Sequence, residues 1–181
     1  ASAHPWRLDT LFVGGGTPTV LPSDALCRLI AAIRPHLTAD AEITMEANPG
    51  TVDAASLDAL RQAGVNRLSL GVQSLDSALL RLLGRVHSAA EAVAAWHAAR
   101  AVGFENINLD LMYGLPQQTL AKWRATLEGA LALQPEHLSL YVLSLEEGTP
   151  LAARVAAGAC PSPDEALAAD MYELASTLLE R

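Results

Sequence analysis

The residues of this sequence that could do chemistry are concentrated in turns that follow apolar segments. Three consecutive glycines, Gly14 to Gly16, follow the first such segment, Glu46 and Asp110 end two later ones, and Arg85 follows a glycine. Glycines let a ligand contact backbone N–H and C=O groups directly. A carboxylate at the end of a buried strand needs a cation or a hydroxyl as its partner. The set suits a ligand with an ammonium and a carboxylate, bound by Glu46 and Arg85.

Each of these residues also has an ordinary structural interpretation. The glycine run would be a tight turn without a ligand, the two acids would be surface or N-cap carboxylates, and Arg85 would neutralise a helix end. A phosphate cradle is disfavoured because Thr17-Pro18-Thr19 stands where the dinucleotide motif needs a third glycine. The P-loop motif, which requires Gly-Lys-Ser/Thr, is absent as well.

Short apolar segments alternate with longer helical patterns, and this predicts the elements that position the turns. The predicted strands cover residues 10–13, 42–45, 67–72, 106–112 and 137–142. Predicted helices start near Ser23 and Asp53 and then cover about 77–83, 89–102, 119–133 and 164–180. The alternation indicates an α/β fold with a parallel sheet. Five units are too few for an eight-unit barrel, so an open sheet and a partial barrel both remain.

In both architectures the turns after the strands meet at one edge of the sheet. The third predicted strand is followed by Gln73, and the fifth by Ser144. We therefore expect the polar turns to surround one cavity.

Composition limits the classes of function. The chain has 181 residues, of which 51% are hydrophobic, which fits one globular domain and disfavours disorder. Its net charge of -8, without a basic run, disfavours a nucleic-acid partner. We expect no transmembrane segment and, without a signal sequence among the first residues, a cytoplasmic location. Two cysteines and five scattered histidines form no metal motif, so we assign no metal ligand.

Five motifs, in order, carry a resemblance to a known family. They are FVGGGTPTVLP, MEANPGTV, NRLSLGVQSLD followed by LGRVHS, INLDLMYGLPQQT, and HLSLYVLSLEEGTP. The chain resembles the radical S-adenosylmethionine (SAM) family of oxygen-independent coproporphyrinogen III oxidase-like proteins, and within it the heme chaperone branch. This resemblance implies a partial (β/α)6 TIM-like barrel whose strands two to six are the predicted ones. Residues 1–181 would then be a fragment of the radical SAM core domain, without its N-terminal cluster loop and its C-terminal domain.

The resemblance also implies a set of residues that bind SAM. We pair Arg85 with the carboxylate of SAM and Glu46 with its ammonium. Gln73 and Asp110 are paired with hydroxyls of the ribose. The full set is Gly15, Gly16, Thr17, Glu46, Gln73, Arg85, Asp110 and Ser144, the last through its backbone.

The family binds a [4Fe-4S] cluster on three cysteines in a C-x3-C-x2-C run, and this chain has no such run. Cys27 and Cys160 lie 133 positions apart, since 160 minus 27 is 133. Because such clusters are held by thiolates, we expect the chain alone to form no cluster and to cleave no SAM.

Three functions are compatible with these observations. The resemblance implies a protein that binds heme as cargo and delivers it to respiratory hemoproteins, and the motifs EANP and EEGTP favour this branch. The first alternative is oxidative decarboxylation of coproporphyrinogen III, a porphyrinogen, in heme biosynthesis. The second is a cluster-free barrel enzyme with Glu46 and Asp110 as acid and base. An unpaired first strand would also predict self-association.

Overall fold

A five-stranded parallel sheet forms the centre of the computed structural model, which describes residues 7–180. The strands are β1 (Leu8–Val13), β2 (Leu37–Ala47), β3 (Arg67–Gln73), β4 (Ile107–Tyr113) and β5 (His137–Val142). The helices are α1 (Ser23–Ile33), α2 (Ala54–Gln62), α3 (Ser77–Leu82), α4 (Ala89–Ala101), α5 (Leu120–Ala132), α6 (Pro150–Ala156) and α7 (Glu165–Leu179). Short 3₁₀ turns occupy Pro18–Val20, Arg34–His36 and Pro49–Thr51.

The order of the strands decides between the two predicted architectures. Each strand pairs in parallel with its neighbour in the sequence, in the order β1-β2-β3-β4-β5. A doubly wound open sheet reverses its order at a switch point, whereas successive crossovers in one direction keep the helices on one face. The sheet curls into half of a barrel wall. The predicted α/β class and partial barrel are confirmed, and the open-sheet alternative is excluded.

Side chains of the central strands β2 to β4 alternate between an apolar outer face and a mainly polar inner face. On β4 the outward residues Ile107, Leu109 and Leu111 are fully buried under the helices. Asn108 and Asp110, at the intervening positions, point to the concave side, because successive strand residues face opposite ways. The core therefore lies between sheet and helices, and the inside of the half-barrel is left for polar groups.

The largest differences between the predicted and the observed elements concern β2 and α6. Strand β2 begins at Leu37, five residues before the predicted start, because the buried Leu37 pairs with Leu8 at the start of β1. Helix α6 is absent from the prediction, although Thr149 caps it through its hydroxyl and Pro150 begins it.

Cys160 lies in the loop after α6 and is only 3% exposed. Helix α1 starts at Ser23, as predicted, with Pro22 at the N-cap position. Among residues 7–180, no helix has both the length and the apolar character needed to cross a bilayer.

Helices α5 and α7 meet at Trp123, which has no exposed surface. Its indole nitrogen donates a hydrogen bond to the Met171 carbonyl oxygen at 2.9 Å. The ring of Tyr113, at the carboxyl end of β4, lies 5.5 Å from the tryptophan ring, centroid to centroid. This contact fixes the outer helices to the strand that carries Asp110.

We predict that Trp123→Ala lowers the free energy of unfolding by about 3–5 kcal/mol, because it leaves a large cavity in the core. Urea denaturation followed by circular dichroism measures the change. Tyr172→Ala is the matched control on α7, where the side chain is 61% exposed, and should change stability by less than about 0.5 kcal/mol. Equal effects of the two substitutions would contradict the packing described here.

Candidate functional site

A cavity of about 280 Å³ opens on the concave side of the sheet, at the carboxyl ends of the strands. Six of the eight predicted site residues line it, namely Gly16, Thr17, Glu46, Gln73, Arg85 and Asp110. Gly15 is adjacent to it, through a hydrogen bond to Glu46. Ser144 is outside the lining, and its exposed hydroxyl donates to Glu146 at 3.0 Å. The turns thus surround one cavity, as the sequence predicts.

Each of the three glycines after β1 is required for a structural reason, and the reason for Gly14 differs from that for Gly15 and Gly16. A Cβ on Gly14 would lie 2.8 Å from the Glu46 carboxyl group and would also collide with Phe12. Gly15 and Gly16 have φ angles of +94° and +88°, which side chains rarely adopt, and no described atom lies within 4 Å of a Cβ built there. The turn therefore presents bare backbone to open space.

Glu46, at the end of β2, is fixed by this turn. The backbone N–H of Gly15 donates to its Oε2 at 3.0 Å. Among residues 7–180, Glu46 makes no ion pair within 4.0 Å. Its charge is thus held in place beside the glycine turn without a cation.

Asp110 is the most strongly perturbed acid of the cavity. Burial raises the pKa of Asp110 above its ordinary value, and the negative charge of Glu46 adds to the rise. Hydrogen bonds from Ser69 and Asn108 oppose the rise. The Ser69 hydroxyl lies 3.0 and 3.2 Å from the two carboxylate oxygens, and the Asn108 amide nitrogen lies 2.7 Å from Oδ1.

Arg85 supplies the only positive charge among the lining residues. Burial lowers its pKa, and the negative charge of Asp110 opposes this shift. An arginine nonetheless remains protonated in proteins. Within the described chain, no carboxylate lies within 4.0 Å of its guanidinium, so this charge lacks a direct partner in the cavity.

Gln73 combines backbone strain with an unused side chain. Its φ angle is +64°, and the pairing of β3 with β4 shifts register between Leu70 and Gln73. The residue is only 8% exposed, yet its amide makes no hydrogen bond with another described residue. A strained residue with an unpaired polar group at a cavity is a typical ligand contact.

Sequence reasoning missed the polar residues below the cavity. Ser69, Asn108 and Ser139 bind Asp110 or one another, and none was predicted. The signal that would have found them is the period-two alternation of polar and apolar residues in RLSLGVQ, INLDLMY and HLSLYV. Strand register then aligns Glu46, Ser69, Asn108 and His137 across four strands.

His87 connects two of the turns from behind. It is 3% exposed, and its Nε2 lies 3.2 Å from the carbonyl oxygen of Val72. Because a carbonyl oxygen can only accept a hydrogen bond, Nε2 carries the proton of the neutral ring. Its Nδ1 lies 3.1 Å from Asn48 Oδ1 and donates there only when the ring is charged. Burial lowers the pKa of His87, and nearby Arg85 lowers it further. Neutral His87 therefore fixes the backbone next to Gln73.

The two cysteines do not fit a cluster site. Cys27 lies on α1, with its thiol 3.5 Å from the carbonyl oxygen of Ala59, and Cys160 is buried after α6. Residues 7–180 contain no group of three or more histidine, cysteine or acidic side chains arranged to hold a metal ion. This chain therefore lacks the three thiolates of a [4Fe-4S] site.

Comparison with known proteins places this geometry in a family. The family model described as the radical SAM superfamily matches residues 1–130. The chain belongs to the radical SAM superfamily. The resemblance predicted from the five motifs is thereby confirmed.

Curated relatives cover nearly the whole chain. It is 44% identical over 169 residues to "Radical S-adenosyl methionine domain-containing protein 1, mitochondrial" of Bos taurus, covering 92% of this chain and 38% of the relative. It is 42% identical over 181 residues to "Heme chaperone HemW" of Escherichia coli, covering 99% of this chain and 47% of the relative. The chain thus spans less than half the length of these two relatives.

Solved structures support the same fold. Coproporphyrinogen III oxidase (HemN) from Escherichia coli, described as a radical SAM enzyme, superposes with a TM-score of 0.84 and 33% identity over 96% of this chain and 40% of its own. An archaeal Elp3 from Methanocaldococcus infernus, at 20% identity, gives a TM-score of 0.79 over 95% of this chain and 45% of its own, and shows the fold alone.

We predict that His87→Gln flattens the dependence of stability on pH. The depressed pKa keeps folded His87 neutral, whereas in the unfolded chain it takes up a proton below about pH 6.5. The His87 contribution is therefore present above that pH and is lost as the pH falls. Urea denaturation at pH 7.5 and 5.5 measures the difference in unfolding free energy.

His36→Gln, at an exposed histidine after α1, is the matched control and should leave the pH dependence unchanged. If His87→Gln loses as much stability on acidification as the parent protein, His87 is not held neutral by the fold.

Proposed function

We propose that the cavity binds SAM. The observation that carries this proposal is the set of charges around the glycine turn. Glu46 and Asp110 carry two negative charges, and Arg85 carries one positive charge that no carboxylate pairs within 4.0 Å. SAM has the complementary set, with an ammonium, a sulfonium and one carboxylate, so that its net positive charge suits an acidic cavity.

The roles within the cavity follow from which groups are free. Arg85 pairs with the carboxylate of SAM, because a guanidinium binds a carboxylate through two parallel hydrogen bonds. Glu46 accepts from the ammonium, close to the backbone of Gly15 and Gly16. The methionyl end of the ligand then lies along the open glycine turn, with Thr17 beside it.

The ribose end is assigned to the deeper groups. Asp110 accepts from ribose hydroxyls, because its protein partners only donate to it. The unpaired amide of Gln73 contacts the second hydroxyl. Ser144 remains the predicted backbone contact, although its side chain is turned to Glu146.

In this family SAM supplies a radical once it is bound to a [4Fe-4S] cluster. The residues of this chain fit the SAM part of that pair and lack the thiolates for the cluster. We therefore assign to this chain the binding and orientation of SAM, and no step that passes through the cluster.

For the whole protein we propose a heme chaperone. The relative from Escherichia coli at 42% identity is named as one, and the alignment covers 99% of this chain. Heme would be the cargo, and a respiratory hemoprotein the acceptor. The cytoplasmic location and the assignment of residues 1–181 to a core-domain fragment stay predictions.

A second candidate is oxidation of coproporphyrinogen III. It is favoured by the 33% identity and the TM-score of 0.84 with the enzyme HemN. The cluster-free acid–base enzyme is less well supported. Both of its carboxylates already accept hydrogen bonds from the protein, as binding groups do.

We predict that SAM and methylthioadenosine respond differently to substitutions at the two ends of the cavity. Arg85→Met and Glu46→Gln should weaken SAM binding about tenfold or more, because each removes a charge-assisted hydrogen bond. They should leave binding of methylthioadenosine, which lacks the amino-acid end, nearly unchanged. Asp110→Asn should weaken both ligands. Isothermal titration calorimetry on the full-length protein measures the dissociation constants.

Arg81→Met and Glu42→Gln are the matched controls, since neither residue lines the cavity. Both should bind SAM as the parent protein does. Unchanged SAM affinity of Glu46→Gln and Asp110→Asn would overturn the proposed site.

We predict that the full-length protein binds heme stoichiometrically in a spectroscopic titration. It should release no carbon dioxide from coproporphyrinogen III when cluster, SAM and reductant are supplied. The HemN enzyme is the positive control for turnover. Decarboxylation without heme binding would replace the chaperone by the second candidate.

A further inference from the structure

Asn108 is at the centre of the hydrogen-bond network under the cavity. It is 2% exposed, and both ends of its side-chain amide are fully used. Its Nδ2 donates to Asp110 Oδ1 at 2.7 Å and to Ser69 Oγ at 2.8 Å. Its Oδ1 accepts from His137 Nδ1 at 2.6 Å and from Ser139 Oγ at 3.1 Å.

These contacts fix which groups of the network donate hydrogen bonds and which accept them. The amide has two protons, and both point toward Asp110, one of them through Ser69, whose hydroxyl also donates to the carboxylate. If the amide were turned over, its oxygen would face a carboxylate oxygen at 2.7 Å, which is repulsive unless that carboxyl is protonated. Because Asn108 and Ser69 both donate toward Asp110, the arrangement favours its ionised form, in which both carboxylate oxygens accept.

The far end of the network fixes the same direction. Because Asn108 Oδ1 is an acceptor, His137 must carry a proton on Nδ1, as the Nδ1–H tautomer or as the cation. His137 is exposed at the start of β5, so its other nitrogen is available to water. His137, on the strand three positions away from the strand of Glu46, thereby orients the Asn108 amide, and this amide orients Asp110.

We propose that Asn108 is a positioning residue of the site: its amide, oriented by His137 and Ser139, keeps the Asp110 carboxylate ionised and fixed as an acceptor of ligand hydroxyl groups. This inference deepens the proposed binding of SAM, on which the identity of the hydroxyl ligand depends. Asn108 touches no ligand in this role and acts only through Asp110.

The charged groups around Asp110 cannot by themselves replace the hydrogen bonds of Asn108 in stabilising the carboxylate. Glu46 faces it from β2 and disfavours its charge, and Arg85 faces it from the turn after α3 and favours it. From β5 the nearest titratable group is His137, which reaches Asp110 only through Asn108. Strand β3 contributes only the neutral Ser69 at this level. Loss of the amide should therefore raise the pH at which Asp110 ionises.

The test is a titration of the Asp110 carboxyl by ¹³C NMR in the ligand-free, full-length protein with labelled aspartate. Its signal is identified as the one missing from Asp110→Asn. In Asn108→Leu the midpoint should lie about one pH unit or more above that of the parent protein, because burial then acts with fewer opposing hydrogen bonds. In Ser69→Ala it should move the same way by a smaller amount.

Calorimetry with methylthioadenosine from pH 5.5 to 8.5 gives the second readout. Asn108→Leu should lose affinity toward low pH and regain it toward high pH, which a purely structural defect does not do. Asn66→Leu is the matched control. Like Asn108, Asn66 uses both ends of its side-chain amide, but its partners are the backbone of Ile43 and Ala41. It lies outside the cavity lining.

An Asp110 midpoint that is the same in the parent protein, Asn108→Leu and Asn66→Leu overturns the inference. If Asn108→Leu does not fold, an unmoved midpoint in Ser69→Ala overturns it as well. A raised midpoint in a protein that binds neither SAM nor methylthioadenosine supports the positioning role and overturns the proposed function alone.

Discussion

The site depends on keeping the Asp110 carboxylate charged at the edge of a buried sheet. Desolvation of such a group costs several kcal/mol unless hydrogen bonds replace the lost water. The protein supplies these bonds directly from Ser69 on β3 and Asn108 on β4, and Ser139 on β5 supports them by donating to Asn108. This arrangement is possible only because the strands are parallel and in register, so that side chains of β3 and β5 reach Asp110 and Asn108 on β4. The strand register is therefore required for the charge of Asp110 as well as for the fold.

The one-directional winding of the chain explains why the inner face carries these polar groups. Helices cover only the outer face, where the alternate apolar residues of each strand are buried. The inner face has no helix to pack against and can carry charges that water and a ligand stabilise. Strands β1 and β5 each pair with a single neighbour among the described residues. They are also the most exposed of the five.

Much of this was available from the sequence, and the missing parts have physical reasons. The acids at strand ends and the glycine run identified the edge where Glu46, Asp110 and Gly16 meet, because chain connectivity brings parallel strand ends together. Asn108 was not predicted, because the role of a single asparagine in an apolar strand depends on its cross-strand partners, which the sequence alone does not give. The strained backbone of Gln73 was also invisible, because a positive φ in a non-glycine residue is imposed by tertiary contacts. Helix α6 and the early start of β2 were missed for a simpler reason. Both segments contain alanine and few large apolar residues, so neither shows a clear hydrophobic pattern.

The cavity is divided into groups that the protein satisfies and groups that it leaves unsatisfied. Glu46 and Asp110 are fixed by bonds from the backbone of Gly15 and from the network on β3 and β4. A ligand therefore meets acceptors that are already oriented and pays little to order them. Arg85 and Gln73, in contrast, lack an ion pair and a side-chain hydrogen bond, respectively, although both are at least half-buried. Both side chains border the open cavity, so the carboxylate and the hydroxyl of a ligand replace water at groups that the protein itself leaves free. This difference favours a zwitterionic ligand with hydroxyl groups over a simple cation, which would satisfy the acids and leave Arg85 unpaired.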